Sequence, residues 1–225
     1  MASTASSPAS FASLLLAALL PASRPAPLPA LAVLDEQDAS RELRVIGAGA
    51  PRLLLPVFTR CTGTCPMTAV FLKQALAKAD APFRVVVFSF DPADTAADLR
   101  DFRQRFALPE EWAVVRSGDP GATKSFLDGF EFRFMRAGEG FDHPNETFVL
   151  SPAGSWTATL TGTSFDDKDL RAAWARAAAA DQGRVLSSLL AWLVRPEAWI
   201  LFACAGLSSS LMAIVIARKR MSRSS

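Results

Sequence analysis

At 225 residues, half of them hydrophobic, the chain is long enough for one ordinary buried core with segments left over for targeting or anchoring. Its formal net charge is +2, yet residues 33–183 carry 17 Lys and Arg against 21 Asp and Glu, a net of −4, so the positive excess sits in the flanks. That distribution leaves no basic stripe to neutralise phosphates and argues against a nucleic-acid partner.

Residues 11–20 (FASLLLAALL) form an apolar run too short to span a bilayer, and a Pro-rich stretch leads from it to Ala30-Leu31-Ala32. The pattern reads as a secretory signal over residues 1–32, cleaved after Ala32, although no Lys or Arg precedes the apolar run. The globular domain is then expected over residues 33–183.

Within it, residues 52–58 (RLLLPVF) and 83–90 (FRVVVFSF) are continuous apolar runs, the pattern of central strands buried on both faces. Between them, residues 66–78 predict a helix, with Pro66 near its start, where the missing N–H costs nothing, and Leu72 and Leu76 on its apolar face. Thr95-x-x-Asp98 predicts a capping box that opens a helix with Leu99, Phe102 and Phe106 on one side. Residues 112–117 read as a strand, 120–128 as a short helix and 131–136 as another strand. Residues 146–150 and 155–160 flank the turn signal Ser151-Pro152-Ala153-Gly154 and predict a hairpin. Ser164-x-x-Asp167 opens a last helix that turns Leu170, Trp174 and Ala177 inward. The expected fold is α/β, a central mixed sheet flanked by helices in thioredoxin-like order.

Residues 184–197 read as a juxtamembrane segment with Trp192 and Pro196, and residues 198–217 are 20 residues without a charge. At ~1.5 Å per residue such a helix matches the hydrocarbon layer, so a single C-terminal transmembrane helix is expected. Arg218, Lys219, Arg220 and Arg223 in the tail, residues 218–225, place that end in the cytoplasm and the soluble domain on the non-cytoplasmic, periplasmic side. Cys204, inside this span, reads as a small apolar residue.

Three cysteines and one histidine are the whole stock of thiols and imidazoles. Cys61 and Cys65, in Cys61-Thr62-Gly63-Thr64-Cys65-Pro66, fall between a central strand and a helix, at the sheet edge where open α/β folds bind ligands. The helix N-terminus favours a thiolate at Cys65, which both redox exchange and metal ligation need. Three intervening residues allow both sulfurs to meet one ion, to act as a redox pair, or to close a structural disulfide, and the spacing alone does not choose. His143 lies in residues 138–144 (GEGFDHP), a flexible approach to the last hairpin, and in a thioredoxin-like fold that segment faces the cysteine turn. Two thiolates and one imidazole suit Cu(I), and with a further ligand Cu(II).

Taken in order, the CxxxCP turn, Asp91-Pro92-x-Asp94-Thr95, and Asp142-His143 followed by Thr147-Phe148-Val149-Leu150-Ser151-Pro152-Ala153-Gly154 resemble the Sco/SenC proteins, which deliver copper to cytochrome c oxidase. The resemblance covers residues 43–174. It implies Cys61, Cys65 and His143 as copper ligands, and a copper chaperone that helps load the CuA centre of an oxidase. Its expected partners are copper itself and a copper-receiving oxidase subunit or another copper chaperone. The alternative is a membrane-anchored thiol–disulfide oxidoreductase that acts on a partner's copper-site cysteines through Cys61 and Cys65 and does not need His143. Thr62-Gly63-Thr64 departs from the family's usual Pro-Asp-like pair between the cysteines, and the anchor lies at the C-terminal rather than the N-terminal end. Met67 and Met135 read as core filling rather than auxiliary ligands, Asp91 and Asp94 as turn and cap residues, and Asp142 as a possible partner for the imidazole. Asn145-Glu146-Thr147 fits a glycosylation sequon, a pattern common by chance.

Overall fold

The two continuous apolar runs become the centre of the sheet. The structure, a computed structural model, describes residues 28–181. The expected signal segment lies mostly outside them, and the juxtamembrane segment, transmembrane helix and basic tail lie wholly outside them. Among the described residues no helix is long and apolar enough to cross a membrane. In chain order the elements are β1 (Ala32–Asp35), β2 (Ser40–Glu42), β3 (Arg52–Val57), α1 (Thr64–Ala79), β4 (Arg84–Ser89), α2 (Ala96–Arg105), β5 (Ala113–Arg116), α3 (Pro120–Asp128), β6 (Met135–Ala137), β7 (Gly140–Asp142), β8 (Glu146–Leu150), β9 (Trp156–Thr161) and α4 (Asp167–Ala179).

Among the described residues, one sheet runs β2-β1-β5-β4-β3-β8-β9, and β6 and β7 form a separate hairpin. β3 is parallel to β4 and antiparallel to β8, and every residue of β3 is buried. Pro56 is tolerated in this central strand for a local reason. The Val57 carbonyl accepts the Phe90 N–H on the β4 side, so alternation puts the missing N–H of Pro56 on the β8 side. There the β8 ladder stops at Leu54↔Phe148, and the sheet is open where the His143 segment arrives.

Helix ends follow side-chain chemistry. Thr95 and Asp98 form the predicted capping box of α2, and the Asp119 carboxylate accepts the Gly121 and Ala122 N–H groups ahead of α3. α4 departs from expectation at its start: Asp166, not Ser164, accepts the Lys168 N–H, at 2.7 Å.

Two further segments differ from the sequence reading. Short β1 and β2 were not expected, yet β1 pairs with β5, and Leu28 and Leu31 upstream of it are buried. The Leu28 N–H donates to the Gly154 carbonyl at 3.0 Å and the Leu43 N–H to the Leu31 carbonyl at 2.9 Å, so packing begins before residue 33. Residues 131–136 are not a strand. Their alternating phenylalanines serve as core plugs, Phe132 being buried, while Glu131 adopts φ 61°, a left-handed turn that breaks any extended run. Only Met135–Ala137 is extended, and it pairs with β7 instead of the main sheet.

Candidate functional site

The loop after β3 is fastened to the end of β4 before it reaches the first cysteine. The buried Asp94 carboxylate accepts the Thr59 N–H at 2.9 Å and the Thr59 hydroxyl at 2.7 Å, and it also takes the Ser89 hydroxyl. Asp91, likewise buried, forms an ion pair with Arg60 and accepts the Ala93 N–H. These carboxylates are therefore more than turn and cap residues: they tie both ends of the cysteine approach. Their position directly after an apolar strand was the available sequence signal.

The chain then turns through Cys61, whose N–H donates to the Phe58 carbonyl at 3.1 Å, and α1 begins at Thr64, two residues earlier than the proline suggests. Gly63 precedes the helix with no capping side chain, and the Cys61 sulfur takes that role, accepting from the backbone at Gly63 and Cys65. Cys61 and Cys65 are both buried and both free thiols. A hydrogen bond from Cys65, reinforced by those N–H groups and outweighing burial, lowers the Cys61 pKa to about 5. Cys65 is shifted upward by its hydrogen bond to Cys61 and by burial. The lower pKa thus falls on Cys61 rather than on Cys65, the sulfur that helix position alone favours, because Cys65 donates to Cys61 and is the more deeply buried of the two.

His143 follows β7. Its Nδ1 lies 2.8 Å from the Pro144 carbonyl, an acceptor only, so Nδ1 carries the proton. Nε2 is left facing the Cys65 sulfur at 3.2 Å. The group that orients the ring is thus a backbone carbonyl, and Asp142 is exposed. The rings of Phe58, Phe90 and Phe132 pack on the imidazole with centroids at 5.9, 5.3 and 5.7 Å. Gly140 lets the hairpin lie against Phe58, since a Cβ there would stand 3.3 Å from the ring. Residues 138–144 thus form the turn, second strand and exit of the β6–β7 hairpin.

The structure brings Cys61, Cys65 and His143 together as a chain of contacts with Cys65 in the middle. Among the described residues no three Cys, His, Asp or Glu side chains form a ready-made ion cage. A groove of about 1000 Å³ opens beside Cys61, with Arg60, Arg136, Glu139 and Asp142 on its walls. Met67 and Met135 are 47% and 67% exposed, which overturns their reading as core filling. The sequon is built into the fold, with the Asn145 side chain bonded to Thr68 and Thr147 fully buried.

A model of the SCO1/SenC family matches residues 34–179. The chain belongs to this family. Solved structures with the same thioredoxin-like fold include a protein of Aquifex aeolicus VF5 provisionally named for electron transfer, 28% identical over 69% of this chain and 95% of that one, with a TM-score of 0.64. Arabidopsis thaliana ScoI with copper bound is 19% identical over 65% of this chain and 94% of its own, with a TM-score of 0.57. BsSco, of the Sco family of cytochrome c oxidase assembly proteins, is 20% identical over 68% and 94%, with a TM-score of 0.58. No curated protein matches the chain. Membership extends the resemblance seen in the motifs over nearly the whole described domain.

Proposed function

We propose that this SCO1/SenC protein is a copper chaperone that takes copper on Cys61, Cys65 and His143 and helps assemble the CuA centre of a cytochrome c oxidase. Residues 198–217 anchor it to the membrane, with the domain on the non-cytoplasmic side. The observation that carries the reading is the 3.2 Å approach of His143 Nε2 to the Cys65 sulfur, with Nδ1 already committed to Pro144. With Nδ1 held by the Pro144 carbonyl, Nε2 is the ring nitrogen turned toward the sulfur, and two sulfurs with one imidazole nitrogen are a soft donor set matched to Cu(I). The copper bound to Arabidopsis ScoI and the oxidase-assembly role of the family that includes BsSco favour the same reading.

Copper is the cargo. Cys61, the sulfur with the lowered pKa and the one lining the groove, is the first sulfur an incoming ion meets. Cys65 then loses its proton, and the sulfur is freed to bind beside His143. Release reverses this order, with a partner's thiolate entering through the groove to take the place of Cys61. Anaerobic titration with Cu(I) should give one tight equivalent in the wild type, with affinity reduced sharply by His143→Ala, and cells carrying that variant should lose oxidase activity. Absence of tight Cu(I) binding by the wild type would refute the proposal.

The low pKa of Cys61, with Cys65 as its hydrogen-bonded neighbour, favours a second reading as a thiol–disulfide oxidoreductase. The Cys61 thiolate attacks a partner's disulfide to give a mixed disulfide and one partner thiolate. Cys65, deprotonated, displaces the second partner sulfur, leaving Cys61–Cys65 oxidised and the partner reduced by two electrons. If His143→Ala retains full function in cells while either cysteine variant loses it, this second reading replaces the first.

A further inference from the structure

Thr68 lies one turn along α1 from Cys65 and is fully buried. Its hydroxyl is 2.9 Å from the Thr64 carbonyl and 2.8 Å from the Asn145 side-chain oxygen position. A hydroxyl has one proton and the Thr64 carbonyl can only accept it, so the network is satisfied when the Asn145 amide is turned to donate its N–H to Thr68 Oγ1. The backbone of Asn145 is fixed as well, its carbonyl accepting the Gly162 N–H at 2.8 Å where β8 meets β9. Between Asn145 and His143 stands only Pro144, whose ring fixes φ and whose carbonyl holds Nδ1.

We propose that the Asn145–Thr68 pair is a clamp that sets the approach of the imidazole to the Cys65 sulfur, which makes Asn145 a positioning residue for the copper site. The clamp joins the helix that carries Cys65 directly to the segment that carries His143, one turn from the sulfur on one side and two residues from the ring on the other. It deepens the copper reading and rests on it for its functional meaning, but the positioning itself exists in the copper-free protein.

The test uses the full chain with Thr68→Val, which keeps volume and removes the hydroxyl, Asn145→Ala, the double variant, and Thr68→Ser as the conservative rescue. Because the chain has one histidine, ¹⁵N-histidine labelling reports His143 alone. The wild type and Thr68→Ser should show a single Nδ1–H tautomer, lost in Thr68→Val and Asn145→Ala. Cu(I) affinity by competition should fall roughly 10- to 100-fold in each single variant, the cost typical of removing a group that orients a ligand, and no further in the double variant. Unchanged spectra, or losses in the two singles that add in the double variant, would overturn the clamp. If the wild type binds no Cu(I), the copper reading falls while the spectra still decide the clamp. If Asn145→Ala fails to fold, Thr68→Val against Thr68→Ser decides it.

Discussion

The cysteine arm, β3 into α1, is buried along its strand and packed by alanines and leucines along its helix, whereas the histidine arm is exposed along β6 and only half-buried at His143. The first arm holds its position through apolar burial, and the second through a few directed contacts: Nδ1 to Pro144, the phenylalanine rings, and Asn145 to Thr68. Damage to the first should therefore be felt as lost stability. Damage to the second should be felt as lost ligand geometry in a protein that still folds.

The largest expected effect breaks that comparison if it fails. Leu54→Ala, in the fully buried centre of β3, should cost about 3 kcal/mol in chemical denaturation, as other buried leucine truncations do. The equivalent truncation of exposed Met135 in β6 should stay within about 0.5 kcal/mol. Beginning the chain at Val33 removes Leu28 and Leu31 from the core and should lower stability by about 2–3 kcal/mol relative to a chain that begins at Leu28. Equal melting of the two would show that residues 28–32 contribute nothing to the domain.

Asp94→Ala should cost about 2 kcal/mol, since it strands the buried Thr59 N–H and two hydroxyls. It should also slow Cu(I) uptake by loosening the cysteine approach. His143→Ala, by contrast, should change stability by less than about 1 kcal/mol while removing most of the Cu(I) affinity.

The smallest effect is a shift in pH profile. Alkylation of Cys61 needs its thiolate, so the rate should hold through neutral pH and fall as pH drops through about 5. Cys65→Ala removes the largest cause of that low value and should move the midpoint upward, toward an ordinary thiol. A wild-type midpoint near 9, the usual thiol value, would mean that the sulfurs do not share a proton as described.

How much of this was legible in the sequence follows the same division. β3, β4, the capping box of α2 and the last hairpin announce themselves through local patterns, because their structure is decided by apolar runs and turn chemistry within a few residues. The cysteine pair was legible for the same reason. What was not legible depends on contacts far apart in the chain: Asp94 to Thr59, Asn145 to Thr68, Leu28 to Gly154. The direction of the proton shared between the sulfurs was not legible either: helix position points to Cys65, while the hydrogen bond from Cys65 and its deeper burial, which no local pattern reveals, lower the pKa of Cys61. Residues 131–136 misled because alternating phenylalanines look the same whether they line a strand or plug a core from a loop.

The central claim is that His143 completes a donor set with Cys61 and Cys65. X-ray absorption at the copper edge of the Cu(I)-loaded full chain tests it directly. Two sulfur donors and one imidazole nitrogen are predicted, with the nitrogen shell absent in His143→Ala; a spectrum of sulfur donors alone, unchanged by that substitution, would contradict it.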